Sequence, residues 1–159
     1  MNLLSDDVLE AASRSVLCWL ATVGPDGQPN VSPKEIWAPF DPAHLVVANI
    51  ASPTTVRNLR HSSAVCLSFV DVLVQKGFKV IGEAENVERG HPSFQRWAAA
   101  LLAQAEPRFR VHSVIVVRAR SVEPIVAPSY RLHPAETTEA SQVAAARRRY
   151  GLDRAPGDA

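Results

Sequence analysis

No glycine occurs between Gly27 and Gly77, and dinucleotide loops and P-loops need clustered glycines to let backbone approach a phosphate chain. The later glycines are too sparse to supply one, so Rossmann and nucleotide-triphosphatase functions are excluded. Cysteine is equally scarce. Cys18 and Cys66 each lie inside an apolar run with no C-x-x-C spacing, which excludes a disulfide framework and predicts two small buried hydrophobes. The five histidines, at 44, 61, 91, 112 and 133, show no H-x-x-x-H spacing, so no metal centre is expected. A G-x-S-x-G nucleophile elbow is missing too. Charge of one sign is not in excess: 17 basic against 16 acidic residues leave a formal +1. That balance gives no global field for nucleic acid or anionic lipid. The acidic start at Asp6 and Asp7, and the lack of any apolar run of about 18 residues, predict a cytoplasmic protein with no membrane partner.

What is present is a chain of 159 residues, 47% of them apolar, enough for one domain with an ordinary core. Leu4, Ser5, Asp6 and Asp7 read as a helix start, with Ser5 as cap and Leu4 able to staple onto Leu9. Strands are predicted over 15–23, 28–37 and 44–50. Gly24-Pro25-Asp26-Gly27 reverses the chain between the first two, and Phe40 to Ala43 turns it before the third. Pro29 and Pro33 each remove a ladder donor and mark the second strand as an edge. Ser52, Pro53, Val56 and Leu59 give a short helix its cap, its first-turn proline and its apolar face. Strands over 63–70 and 78–88, a helix over 92–104 with Phe94, Trp97, Ala98 and Leu101 on one stripe, and a strand over 111–126 follow. A helix over 137–150 closes the chain, ending in Arg147, Arg148 and Arg149, which suit a helix C-terminus better than an RNA contact; residues 153–159 read as frayed. About six short strands with three or four helices indicate a small antiparallel barrel.

One stretch points to chemistry. From Asn49 to Asn58 a strand runs directly into a helix whose first turn offers unpaired N–H groups beside the hydroxyls of Ser52, Thr54 and Thr55, and an anion fits there. Lys34, between apolar neighbours, and Lys76, ahead of Gly77, are cations that can reach a phosphate.

These segments carry a resemblance. Pro29-Asn30-Val31-Ser32-Pro33-Lys34, then Val46-Val47-Ala48-Asn49 leading into Ser52-Pro53-Thr54-Thr55-Val56-Arg57-Asn58-Leu59, then Val74-Gln75-Lys76-Gly77-Phe78-Lys79 and Gly82-Glu83-Ala84, resemble the pyridoxamine 5′-phosphate oxidase-like family of FMN-binding split barrels. The similarity spans residues 5 to about 126. It implies a mainly β (α+β) fold, a six-stranded antiparallel split β-barrel with short flanking helices. It also implies an FMN-binding domain over 1–128, a C-terminal helical tail over 129–159, and a homodimer with FMN between subunits.

By the same resemblance Val31, Ser32, Pro33 and Lys34 run beside the flavin, Asn49 and Ile50 border its ring, and Ser52, Thr54 and Thr55 hold phosphate oxygens. Asn58, Gln75 and Lys76 support them, and Trp37 is the tryptophan expected against the ring. The implied function is an FMN-dependent oxidoreductase acting on a small molecule, with no catalytic side chain identified. A flavin-binding electron carrier or store without a substrate, or a split barrel holding deazaflavin or haem, are the alternatives. Arg131-Leu132-His133 matches the substrate-gripping triplet of the true oxidases in those three residues only. Pro134, Ala135 and Glu136 follow it, so vitamin B6 oxidation is not expected.

Overall fold

The computed structural model describes residues 3–153; the expectation of a frayed end at 154–159 lies outside the described residues. In chain order the elements are α1 (Asp6–Ser13), β1 (Cys18–Val23), β2 (Pro29–Lys34), β3 (Trp37–Asp41), β4 (His44–Asn49), α2 (Pro53–His61), β5 (Ala64–Asp71), β6 (Lys76–Glu88), α3 (Phe94–Gln104), β7 (Ser113–Val126), α4 (Ser129–Leu132) and α5 (Glu139–Tyr150).

All seven strands form one antiparallel sheet in the order β2-β1-β5-β6-β7-β4-β3. The expectation of six strands is corrected here. The predicted strand over 28–37 ends at Lys34, and a separate strand begins at Trp37. Only Glu35 and Ile36 separate β2 from β3, yet these two strands are the opposite margins of the sheet. Three residues span at most roughly 10 Å, so the margins must approach one another at this end. The sheet is therefore strongly curled without a hydrogen-bonded seam. Pro29 and Pro33 lie on one margin and Pro39 on the other, as strand prolines require.

Two apolar clusters follow from strand alternation. Leu20, Leu45, Val47, Leu67, Phe69, Val80 and Ile115 fill the concave side. Val46, Ala48, Val114 and Val116 point the other way and pack under Phe94, Ala98 and Leu101 of α3. β4 is thus buried on both faces, which is why its sequence is an apolar run rather than an alternation.

α1 packs Leu4, Val8, Ala11 and Ala12 into the first cluster. Its N-cap Ser5 makes no side-chain cap bond. Burying Leu4 and Val8 contributes on the order of 2 kcal/mol each, against about 1 kcal/mol for a missing cap, so packing holds this helix.

Among the described residues no helix covers the convex side of β1, β2, β5 and β6. Val31, Ala21, Cys66 and Ile81 are successive cross-strand partners across these four strands, and Trp19 shares their face. Trp19 is 45% and Val31 58% exposed. Cys66 lies half-exposed on this face instead of in the core, whereas Cys18 is fully buried.

Beyond the barrel, α4 is an additional single turn. α5 is capped by Thr138, whose hydroxyl accepts from the Ser141 amide, and ends at Gly151 with φ 68°. Among the described residues no helix is long and apolar enough to cross a membrane.

Candidate functional site

The start of α2 is built from competing demands on one hydroxyl. Ser52 occupies the N-cap position but forms no cap bond, because its Oγ instead receives the ammonium of Lys34. Pro53 has no N–H, and the amides of Thr54 and Thr55 have no acceptor among the described residues; the first helical bond runs from Val56 N to Ser52 O at 3.2 Å. Two donors at the positive end of a nine-residue helix are therefore open.

Lys34 is the most informative side chain of the site. It is 5% exposed, and Ser52 is its hydrogen-bond partner. No carboxylate faces it among the described residues. Burial holds its ammonium below the ordinary lysine range, while the adjacent Cys18 acts in the opposite direction. A buried ammonium with only a hydroxyl for company is costly, and a bound anion would relieve that cost.

The strand leading into the helix is fixed by a polar relay. Asn49 Nδ2 donates to Ser113 Oγ at 2.8 Å, and Ser113 Oγ donates to Asn86 Oδ1 at 2.7 Å. The amide oxygen of Asn49 accepts from Ser52 N at 3.2 Å. The polar residue near the end of an otherwise apolar strand thus orients the turn before α2.

On its other side the helix is tied to the first hairpin. Asn58, buried, donates to Thr22 Oγ1 at 3.0 Å, with Asn30 Nδ2 on the same oxygen at 3.4 Å. Thr55, also buried, pairs with Ser32 across 3.3 Å. Ser32, Lys34, Asn49, Ser52, Thr55 and Asn58 are thus brought together around one helix start.

Two cavities flank this start and share Arg57. One, of about 390 Å³, is lined by Asn49, Ile50, Ser52, Arg57, Arg60 and His112. The other, of about 480 Å³, lies against the hairpin turn and is lined by Asp26, Gln28, Asn30, Thr54, Arg57 and Asn58. Val31 and Pro33 lie exposed on the convex face of the marginal strand β2, and Ile50 is half-buried beside the first cavity.

Gln75 and Lys76 are not gathered with the others. Their strand β6 is three strand spacings from β2, roughly 14 Å across the sheet. Gln75 occupies the left-handed turn position at φ 57°. Lys76 Nζ pairs with Glu139 Oε1 of α5 at 2.9 Å and sits 4.4 Å from the Tyr130 ring centroid. Trp37, expected near a flavin ring, is buried in the core, 5.0 Å from Phe69 between ring centroids, with Nε1 donating to Val16 O at 3.3 Å.

Thr22, which seats α2 on the hairpin, and His112, which only lines the first cavity, were missed by the sequence reading. Thr22 had a weak signal, as a polar residue in an apolar strand one hairpin away from Asn30. His112 had none, because its place depends on the β4–β7 register that pairs Asn49 with Ser113.

The donor set fits a phosphate-bearing ligand: one desolvated ammonium, two free amides, several hydroxyls, and cavities of the size that holds small organic ligands. The pattern of the family described as pyridoxamine 5′-phosphate oxidase matches residues 4–125. No curated protein matches the chain. Among solved structures, a point variant of HupZ from Group A Streptococcus superposes with a TM-score of 0.65 at 21% identity, over 77% of this chain and 99% of that one. An FMN-binding protein from Syntrophomonas wolfei gives 0.62 at 16% identity, over 76% and 88%. An F420 reductase gives 0.56 at 24% identity, over 74% and 94%. At such identities the likeness shows the fold.

Proposed function

We propose a function from one premise: this chain belongs to the pyridoxamine 5′-phosphate oxidase family. On that premise it is a flavoprotein that binds FMN at the start of α2 and acts as an oxidoreductase on a small molecule. The observation that carries the reading is Lys34, a buried cation with no carboxylate, set beside the two open amides of α2. The likeness to an FMN-binding protein supports the choice of ligand.

In this reading the phosphate docks on the amides of Thr54 and Thr55 with the hydroxyls of Ser52 and Thr54. The ring lies along Val31 to Lys34, bordered by Asn49 and Ile50. Asn58 and Thr22 keep α2 seated on the hairpin. When bound, the flavin accepts or gives electrons at its own ring, and the protein supplies orientation and electrostatics. Lys34, held against Ser52, supplies the ammonium that neutralises that phosphate.

The flavin-binding unit is residues 1–128, and 129–159 are an appended segment that carries α4 and α5. The protein works as a homodimer closed through the convex apolar face around Trp19 and Val31, because a continuous exposed apolar patch of this kind marks an association surface. Gln75 and Lys76 lie where β6 begins, paired with the last residue of β5 at the end of the ladder away from α2 of their own subunit. They are therefore assigned to the site of the second copy, where they join its flavin contacts.

Two measurements test this. Titration of the protein with FMN should quench flavin fluorescence, and a Ser52→Ala/Thr54→Ala double variant, which removes both hydroxyls placed on the phosphate, should bind at least tenfold more weakly. Equal affinity in that variant would remove the phosphate assignment. A Trp19→Glu variant should sediment as a monomer and lose FMN affinity; a dimer of unchanged stability would sink the interface.

A deazaflavin is the second reading, favoured by the F420 reductase likeness. The absorption spectrum of the protein as isolated separates the two.

A further inference from the structure

We infer that the cavity between α2, the end of β4 and the lead into β7 is an organic-acid pocket, which takes the carboxylate of a substrate whose body is apolar. Three walls converge there. Arg57 and Arg60, one turn apart on α2, form the first, and His112 forms the second. Ile50, at the end of β4, supplies with Val56 an apolar floor.

The position of His112 is fixed, since its amide donates to Asn49 O at 2.9 Å and the Asn49–Ser113–Asn86 relay anchors that strand end. No carboxylate lines the cavity among the described residues. The basic groups facing it are poorly matched by anions. Among the described residues Arg57 reaches only the Thr54 hydroxyl, at 3.5 Å, and Arg60 has Glu88 at 3.9 Å, with both side chains largely exposed. Across Ser52, which also lines this cavity, Lys34 is a buried cation in the same condition.

Guanidinium groups on neighbouring helical turns suit a planar carboxylate, which accepts paired N–H donors. The apolar floor selects against a small hydrated anion and for an acid with a hydrocarbon or aromatic body. In placing the reaction beside this cavity, the inference rests on the flavin reading above; the pocket itself stands on the residues named.

The test is calorimetric titration of the protein, with and without saturating FMN, using benzoate and its neutral isostere benzamide. Benzoate should bind, and benzamide at least tenfold more weakly. An Arg60→Gln/His112→Asn double variant, altered only at exposed positions outside the proposed flavin contacts, should bind benzoate at least tenfold more weakly while its FMN affinity stays within twofold of the parent. Equal binding of benzoate and benzamide, no heat with benzoate, or an unchanged benzoate affinity in the variant overturns the inference. Failure to bind FMN with benzoate binding intact removes the flavin reading and leaves the acid pocket standing, so the two failures are distinct.

Discussion

Replacing Lys34 by methionine is expected to raise the dissociation constant for FMN at least tenfold, or about 1.4 kcal/mol, while leaving the ligand-free protein as stable as the parent or more so. The two effects have opposite signs for one physical reason. In the free protein the ammonium is buried against a single hydroxyl, and an apolar side chain of similar length removes its desolvation cost. In the complex that ammonium faces a dianion, and its loss leaves negative charge in a poorly hydrated place. Thermal unfolding with and without FMN reads both effects. A variant that binds FMN like the parent removes Lys34 from the site.

The pH dependence gives a second reading of the same residue. Burial lowers the Lys34 pKa in the folded chain from 10.5, so the unfolded chain binds that proton more tightly. Its contribution to stability is least favourable below the lowered folded value. It then improves as pH rises toward 10.5, where the unfolded lysine also loses its proton. Cys18 acts oppositely: burial pushes its thiol up from 9.0 to about 12, so stability falls as pH climbs through that interval. The difference between parent and Lys34→Met curves reports the lysine together with its coupling to Cys18, and it should narrow with alkalinity.

Gly77→Ala is expected to cost roughly 3 kcal/mol, or a fall of roughly 6–12 °C in Tm for a chain of this size. A Cβ at this position would stand 2.0 Å from Phe69 O and 2.7 Å from Val70 Cα. Both are backbone atoms of the paired strand β5, which cannot swing aside as a side chain can. Accommodating the methyl group requires β5 and β6 to part beside Phe69, in the middle of the core. Gly27→Ala is the control. Gly27 lies at φ 78° with nothing within 4 Å of the added carbon, so only the backbone preference of about 1 kcal/mol is lost. Equal Tm values for the two variants would show that the tight approach at Gly77 carries no energetic weight.

The positions of most elements were legible because each has a local cause: the Gly24–Gly27 reversal, the Pro53 helix start, and the apolar stripe of Phe94, Ala98 and Leu101. The break between Lys34 and Trp37 was not, because Glu35 and Ile36 carry no turn signal; the chain crosses from one margin of the sheet to the other under the pull of long-range pairing. At the site, Lys34, Asn49 and the Ser52–Asn58 segment were readable from residue type against an apolar background. The Ser52 cap was read by its usual preference, and a buried lysine took the hydroxyl instead. At Gly77 the backbone that approaches closely is that of β5. Trp37 and Cys66 were misplaced for a related reason. Which face of a strand turns inward depends on the curl of the sheet, and neither residue type declares it.

The prolines on the two sheet margins bear on how the molecule avoids clumping. A row of unsatisfied peptide groups along an open margin is a template on which an extended segment from another molecule can grow a fibre. Pro29 and Pro33 on β2 and Pro39 on β3 interrupt that row with ring nitrogens that carry no hydrogen. An arriving segment would leave carbonyl groups stranded at each ring, so open-ended stacking is penalised at both borders. Growth by strand addition is thereby disfavoured at either border, whatever molecule the arriving segment belongs to.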